Sequence, residues 1–359
     1  MAVYLLLIIL LISGLNNNIF QKYILSVTII YMLAVSFLRY EVGTDYKSYF
    51  LAIENNVYWF NDKGLNLVSD FLRNFMMMDT EIIIGTWAIF IIVITLYFLK
   101  YYADNTLVLA YSLFFFVTLY YYIDSHNIIR QYVALSIFFV GIIFLEKNRV
   151  IMFILFGALS TWFHITSSIF IILILMLYLI DIKTEKFEEK KYLLIFLGVI
   201  SFGLTFIDFN KYILIILNFL NFDGRLNYYL LYANDHYLQH EISLPLAIFL
   251  IFKLFLFIYS VSNLSKLSPK IKNSKLVISI YIISTILSLV FYPILIFRRA
   301  LIYITVFEVV VLADLLKKES IGLKSLIVLV SVIYFLMSIS LNYSTPLPYK
   351  IWIDPYFTF

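Results

Sequence analysis

Long, unbroken apolar stretches separated by short polar connections make up most of the chain. Apolar residues follow one another instead of alternating with polar ones, which predicts helices and argues against the strands of a membrane barrel. In hydrocarbon only a helix or a closed barrel satisfies its own backbone, and a helix needs about 20 mostly apolar residues to cross. By that rule the sequence predicts about twelve spans. In the first half they lie near Val3–Ser13, Tyr23–Leu38, Ile82–Leu99, Thr106–Ile123, Ile128–Leu145, Val150–Phe163 and Ile165–Ile180. In the second they lie near Tyr192–Ile207, Leu244–Ser262, Leu276–Phe297, Ala300–Leu315 and Leu323–Leu341. Tyr212–Phe222, interrupted by Asn218 and Asn221, reads as an interfacial or re-entrant piece. The expected fold is therefore all-α: a polytopic transmembrane helical bundle, one integral membrane domain over residues 1–359.

Two polar connections, 39–81 and 208–243, are long enough to carry short amphipathic helices. The start of the chain lacks the cationic n-region and small-residue cleavage site of a secretory signal, so Val3–Ser13 reads as a retained first span. No internal period of 20–50 residues appears, which removes solenoids and propellers.

Composition strengthens this picture. Apolar and aromatic residues are 63% of the chain and charged residues 13%, against roughly 45–50% and 25% for soluble domains. The absence of cysteine excludes disulfides and thiolate metal sites.

Charge placement gives an expected orientation. Cationic residues are retained in cytoplasmic loops. Alternate connections hold Lys22, Lys100, Lys147, Lys183, Lys186, Lys190, Lys191, Lys266, Lys270, Lys272, Lys275, Lys317, Lys318 and Lys324, fourteen of nineteen lysines. Those connections are expected inside, which leaves both termini extracytoplasmic. Arginine runs the other way: Arg39, Arg73, Arg130, Arg225, Arg298 and Arg299 fall on the outer side, and only Arg149 on the inner. Guanidinium is a planar fork suited to phosphate and carboxylate oxygens, so the outer face is expected to bind an anion. His126, His164, His236 and His240 map to the same face. The inner connections hold no glycine-rich phosphate loop, so use of ATP or nucleotide sugars from the cytoplasm is not expected.

Where the second span ends, Arg39 to Phe50 (RYEVGTDYKSYF) packs acids, bases and tyrosines together. Gly43 permits a tight turn, Asp45 is placed to cap the next helix, and Tyr46 and Tyr49 fall three apart on one helical face. An N-cap plus an interfacial aromatic belt is the plainer reading of the same residues.

This segment resembles the signature of the EpsG family, within the broader Wzy-type polysaccharide polymerases, where an arginine precedes a Gly-Thr-Asp-Tyr element and a later tyrosine. Lys63 to Phe75 resembles that family's amphipathic outer helix. Ile128 to Phe138, with Arg130-Gln131, resembles its Arg-Gln helix, and Ser160 to Ile169, with His164, its histidine hairpin. Arg298-Arg299 with Tyr303, and Asp354-Pro355-Tyr356, resemble its C-terminal features, while Tyr192–Lys275 matches in topology only.

Each of these positions also has a structural reading. Arg130 begins a span just after Asp124 and His126, so it points at an anion or pairs with Asp124 to fix the helix end. His164, in a turn, either serves substrate contact and proton transfer or is a hydrogen-bonded structural group. Arg298 and Arg299 interrupt the apolar run from Leu276 through Val311; such groups face a water-filled cavity or substrate path, or snorkel to the interface. Lys253 and Glu308 fall mid-span and are expected to pair as a packing clamp. His236 and His240 share helical spacing without a neighbouring glutamate motif, and no Asp-x-Asp occurs, so no metal site and no cofactor are expected.

The resemblance implies a glycosyltransferase that joins undecaprenyl-pyrophosphate-linked oligosaccharide repeat units outside the bacterial cytoplasmic membrane. A growing glycan would leave its carrier for the non-reducing-end sugar of another carrier-linked unit. It implies Arg39, Arg130, Arg298 and Arg299 on the diphosphate, and Asp45 or His164 as base. Gly43, Tyr46, Tyr49, Gln131 and Tyr303 would shape the sugar site. Partners would be the lipid-linked saccharide, the growing glycan, membrane lipids, a chain-length regulator and a flippase, with no nucleic acid. A flippase or transporter for the same lipid, or a ligase for the finished glycan, would use similar outer arginines; the missing internal repeats weigh mildly against a transporter.

Overall fold

The computed structural model describes residues 1–15, 19–57, 63–207, 242, 244–341 and 346–352. Tyr212–Phe222, Arg225, His236, His240 and Asp354-Pro355-Tyr356 lie outside the described residues. The chain divides into two compact units, one formed by Met1–Met176 with Leu312–Phe359 and the other by Leu177–Val311.

In the first unit, α1 (Ala2–Gly14) and α2 (Gln21–Leu38) form a hairpin. Gln21 Nε2 donates to the Gly14 carbonyl at 3.0 Å near the turn, and the Tyr31 hydroxyl donates to the Val3 carbonyl at 3.0 Å near the open end. The long connection expected after α2 does carry short helices. It runs through β1 (Arg39–Tyr40), α3 (Tyr46–Glu54), α4 (Lys63–Asp70) and a π-helical turn over Phe71–Phe75. Helix α4 buries Gly64, Leu65 and Ser69, while Leu67 and, in the turn that follows, Phe71 and Phe75 are exposed. The Ser69 hydroxyl accepts from the Trp87 indole at 3.1 Å, which ties the amphipathic segment to α5 (Thr80–Tyr102).

Next come α6 (Thr106–Thr118), α7 (Tyr121–Asn127), α8 (Ile129–Glu146), α9 (Val150–Phe163) and α10, which begins at Ser167. Asn105 caps α6 by accepting from the Val108 N–H at 3.0 Å. The stretch expected as one span at Thr106–Ile123 is bent: it breaks at Tyr120, where φ is 76°, and α7 leaves at 53° to α6. Helix α8 is buried on nearly every side, with Phe139 stacked on Phe98 of α5 at 4.0 Å between ring centres. The chain's last described helix, Ile321–Ser340, and β2 (Lys350–Ile351) complete the unit. Strands β1 and β2 pair antiparallel, Arg39 with Ile351 and Tyr40 with Lys350.

The second unit holds α11 (Thr184–Glu189), α12 (Lys191–Leu204), α13 (Leu244–Ser262), α14 (Pro269–Lys272), α15 (Val277–Phe291), α16 (Leu295–Thr305) and the start of α17 (Phe307–Leu316). The two spans expected at Leu276–Phe297 and Ala300–Leu315 are three shorter helices instead. Pro293 sits in the first break, where it has no backbone N–H to continue the helical ladder. Helix α12 packs on α13 through Gly198, where an added Cβ would come within 2.5 Å of the Phe257 ring. The expected Lys253–Glu308 pair forms: Nζ lies 2.6 Å from Oε2, and the side chains are 3% and 6% exposed.

Among the described residues, α2, α5, α8 and Ile321–Ser340 (α18) are long and apolar enough to cross a membrane, and the bent α6–α7 pair makes a fifth if it is one span. Six more apolar helices run 10–17 residues.

Candidate functional site

The first unit gathers its polar chemistry where α2 stops. Arg39 is 1% exposed, and its Nη1 donates to the Val42 carbonyl at 2.9 Å and to the His126 carbonyl at 2.6 Å. Its other edge, Nε and Nη2, is buried and has no hydrogen-bond partner among the described residues. That edge is the fork by which guanidinium grips a carboxylate or phosphate. An unsatisfied charged donor costs about 1–3 kcal/mol or more, so the fold holds Arg39 at a stability cost. Burial pulls the Arg39 pKa down and the surrounding Tyr46, Tyr349, Tyr4 and Tyr122 oppose it; the group remains a cation.

Helices α2 and α7 and the residues around the β-ladder fix this cluster. The Tyr122 hydroxyl donates to the Met32 carbonyl at 2.9 Å and accepts from Ser36 Oγ at 3.0 Å, while Ser36 Oγ also lies 2.9 Å from His126 Nε2. The break at Tyr120 turns α7 so that His126 and Asn127 meet the residues after β1. Gly43, at φ of 101°, sits so close to α7 that an added Cβ would lie 3.3 Å from the His126 carbonyl oxygen. Asn127 Oδ1 accepts from Thr44 Oγ1 at 2.6 Å and from the Asp45 N–H at 3.0 Å. The Tyr349 hydroxyl donates to the Val35 carbonyl, and the Trp352 N–H to the Leu38 carbonyl at 3.0 Å, so β2 locks the end of α2.

The tyrosines expected on one face of α3 are there, and each meets an arginine. The Arg39 guanidinium carbon lies 5.5 Å from the Tyr46 ring centre, and that of Arg130 lies 6.0 Å from the Tyr49 ring centre. Arg130 Nε donates to the Tyr49 hydroxyl at 3.4 Å. Burial raises the pKa of both phenols against the lowering effect of their arginines, so both stay protonated. They can donate or accept hydrogen bonds to a sugar, and neither is a base at neutral pH.

Asp45 holds the N-cap position of α3, but its carboxylate makes no capping bond; that expectation is corrected. The side chain is partly exposed beside Thr44, whose Oγ1 lies 3.4 Å from Oδ1. Gln131 is 5% exposed on the first turn of α8, next to Arg130. His164 ends α9 in extended backbone; its N–H donates to the Ser160 carbonyl at 2.9 Å, and its carbonyl accepts from Ser167 Oγ at 3.0 Å. Arg73, expected among the anion-binding arginines, is instead bound to protein: Nη2 lies 2.9 Å from Glu54 Oε1, and Nη1 donates to Thr80 Oγ1 at 2.8 Å.

Arg298, Arg299 and Tyr303 belong to the second unit, on α16. Both arginines are half-buried and Tyr303 is fully buried. The Arg298 guanidinium carbon lies 5.4 Å from the ring centre of Tyr292, a ring that also faces Lys253 Nζ at 5.9 Å. Among the described residues no group of three or more His, Cys, Asp or Glu side chains gathers in a way that could hold a metal.

Ser36, Tyr122, Asn127 and Tyr349, the residues that carry Arg39, were not legible as site residues. The one signal for them was the polar run Asp124-Ser125-His126-Asn127 inside an apolar stretch.

No curated protein and no solved structure matches the chain. The family model of the EpsG family matches residues 22–351, from the first turn of α2 through β2, a range that includes Arg39, Asp45, Tyr46, Tyr49, Arg130, Gln131, His164, Arg298, Arg299 and Tyr303. The match covers nearly the whole chain, and the protein belongs to the EpsG family.

Proposed function

We propose that this protein polymerises polysaccharide from undecaprenyl-pyrophosphate-linked oligosaccharide repeat units on the extracytoplasmic side of the bacterial cytoplasmic membrane. The family is Wzy-type polymerase-like, which supplies the reaction class. The observation that carries the reading is the Nε–Nη2 edge of Arg39, buried and without a hydrogen-bond partner among the described residues, on the first residue after a candidate span. A diphosphate oxygen pair satisfies that edge, and preorganised donors aimed at a leaving group are worth most where water is excluded.

In this scheme the acceptor sugar hydroxyl attacks the anomeric carbon of the growing glycan, the bond from that carbon to the carrier diphosphate breaks, and the hydroxyl proton passes to Asp45 or His164. Arg39 and Arg130 stabilise charge developing on the departing diphosphate. Tyr46, Tyr49 and Gln131 orient sugar, and Gly43 lets the Thr44–Asp45 backbone approach it. The donor is already activated by its diphosphate, which accords with the lack of a nucleotide-binding loop.

The test is chain-length analysis of glycan in cells lacking the gene. A polymerase null leaves single repeat units on the carrier, a flippase null leaves none exported, and a ligase null leaves long unattached chains. Complementation by Arg39→Ala, Arg130→Ala or Asp45→Asn that restores a full ladder in all three variants would refute the site.

A further inference from the structure

A groove of about 460 Å³ runs along the α1–α2 hairpin, within the roughly 300–1,000 Å³ of ligand sites. One wall is Ala2, Val3 and Leu6 at the start of α1; the other is Ala34, Val35 and Leu38 in the last turns of α2. The two hydroxyls within reach, those of Tyr31 and Tyr349, are both spent on backbone carbonyls, of Val3 and Val35. Among the described residues the lining is thus almost entirely hydrocarbon, a surface for a chain and not for a sugar.

Its position identifies the kind of chain. Leu38 precedes Arg39 in sequence, and Ile351, also in the lining, is its partner across the β-ladder. Tyr349 lines the groove and is also one of the tyrosines that act electrostatically on Arg39. An apolar channel in the half of the hairpin nearest Arg39 therefore ends beside a buried cation with an unpaired anion-gripping edge. That pairing of hydrocarbon lining and anion site fits one molecule with an anionic phosphate head and a long apolar tail.

We infer that the groove between α1, α2 and the Tyr349–Ile351 segment seats the isoprenoid chain of the lipid carrier, with its diphosphate toward Arg39. This rests on the polymerase reading above, which supplies a polyprenyl carrier; the groove supplies where its tail lies.

The test uses the full-length protein in vesicles of phosphatidylethanolamine and phosphatidylglycerol, with two photoreactive probes. One is a polyprenyl diphosphate with a diazirine in its isoprenoid chain, and the other a phosphatidylglycerol with a diazirine in its acyl chain. The polyprenyl probe should label the Ala2–Leu6 and Tyr31–Leu38 segments, and unlabelled polyprenyl diphosphate should suppress that labelling by at least about tenfold while phosphatidylglycerol does not. Ala34 and Ala2 are exposed at the groove rim, so Ala34→Trp and Ala2→Trp fill it from opposite walls without entering the core. Each should lower labelling by at least about tenfold.

Labelling elsewhere, labelling by neither probe, equal labelling and competition by both lipids, or unchanged labelling of both tryptophan variants would overturn the inference. Normal polymer from Ala34→Trp and Ala2→Trp alongside none from Arg39→Ala would sink the groove and leave the polymerase reading standing. Competed labelling of the groove in a protein that makes no polymer would do the reverse.

Discussion

The guanidinium carbon of Arg39 lies 5.5 Å from the centre of the Tyr46 ring, inside a site from which solvent is excluded. Such a contact is worth about 2 kcal/mol when desolvated, and it orients the guanidinium plane as well as holding its charge. Lysine keeps the charge but not the fork. Arg39→Lys is therefore expected to insert normally and to lower polymer yield by about 10²–10³-fold, the usual effect of removing one preorganised donor. Quantified glycan ladders beside a membrane-insertion control check it; near-normal yield from the lysine variant would make the fork irrelevant.

Asn127 acts only as an acceptor toward Thr44 and Asp45, through the same oxygen. Asn127→Ala should therefore free the Gly43–Asp45 turn at about 1–3 kcal/mol, the cost of orphaned donors, and reduce polymerisation. Asn127→Asp keeps an acceptor in place and should restore most of the activity. Rescue by aspartate separates positioning of the turn from general damage, and thermal stability of both variants in detergent completes the comparison.

Tyr49 tests how far Arg130 depends on its neighbour. The Arg130–Tyr49 hydrogen bond is long at 3.4 Å, so Tyr49→Phe should cost only about 0.5–1.5 kcal/mol, a few-fold in polymer yield. Tyr49→Ala, which also removes the ring, should cost more. Equal losses from both variants would mean that the hydroxyl matters more than the ring.

How much of this was legible in the sequence follows from the range of the interactions. Helices such as Val150–Phe163 and Leu244–Ser262 follow directly from continuous apolar runs, because a helix in hydrocarbon depends on its own residues. The pairing of Lys253 with Glu308 was legible for a related reason: a charge placed mid-span needs a partner, and few were on offer. The tyrosine face of α3 followed from spacing alone. The break at Tyr120 was not legible, since nothing in its side chain favours positive φ and the bend is set by contacts distant in sequence. The same bend delivers Asn127 to the Gly43 turn, so the scaffold of Arg39 stayed hidden with it. Asp45 misled because a good capping residue at a helix start need not use its side chain when a neighbouring asparagine has already taken the backbone donor.

The Lys253–Glu308 pair makes a stability prediction in the second unit. Removing one partner leaves an uncompensated buried charge, at about 3–5 kcal/mol, whereas replacing both with apolar residues of similar volume is often neutral. Lys253→Met and Glu308→Met should each lower the Tm sharply and the double variant should recover most of it, a coupling read by a double-mutant cycle. Additive losses would show that the two side chains act independently.

Orientation can be tested directly because the chain contains no cysteine, so any single cysteine introduced is the only thiol. Lys47, exposed on α3, reports the side on which the Arg39 cluster opens, and Lys186, exposed on α11, reports a lysine-rich connection. Lysine placement predicts opposite sides for the two. A membrane-impermeant maleimide should therefore label Lys47→Cys in intact cells and Lys186→Cys only after permeabilisation. The reverse pattern would put the arginine–tyrosine cluster in the cytosol, where a polymerase fed by exported lipid-linked units could not use it, and the proposed reaction would fall with the topology.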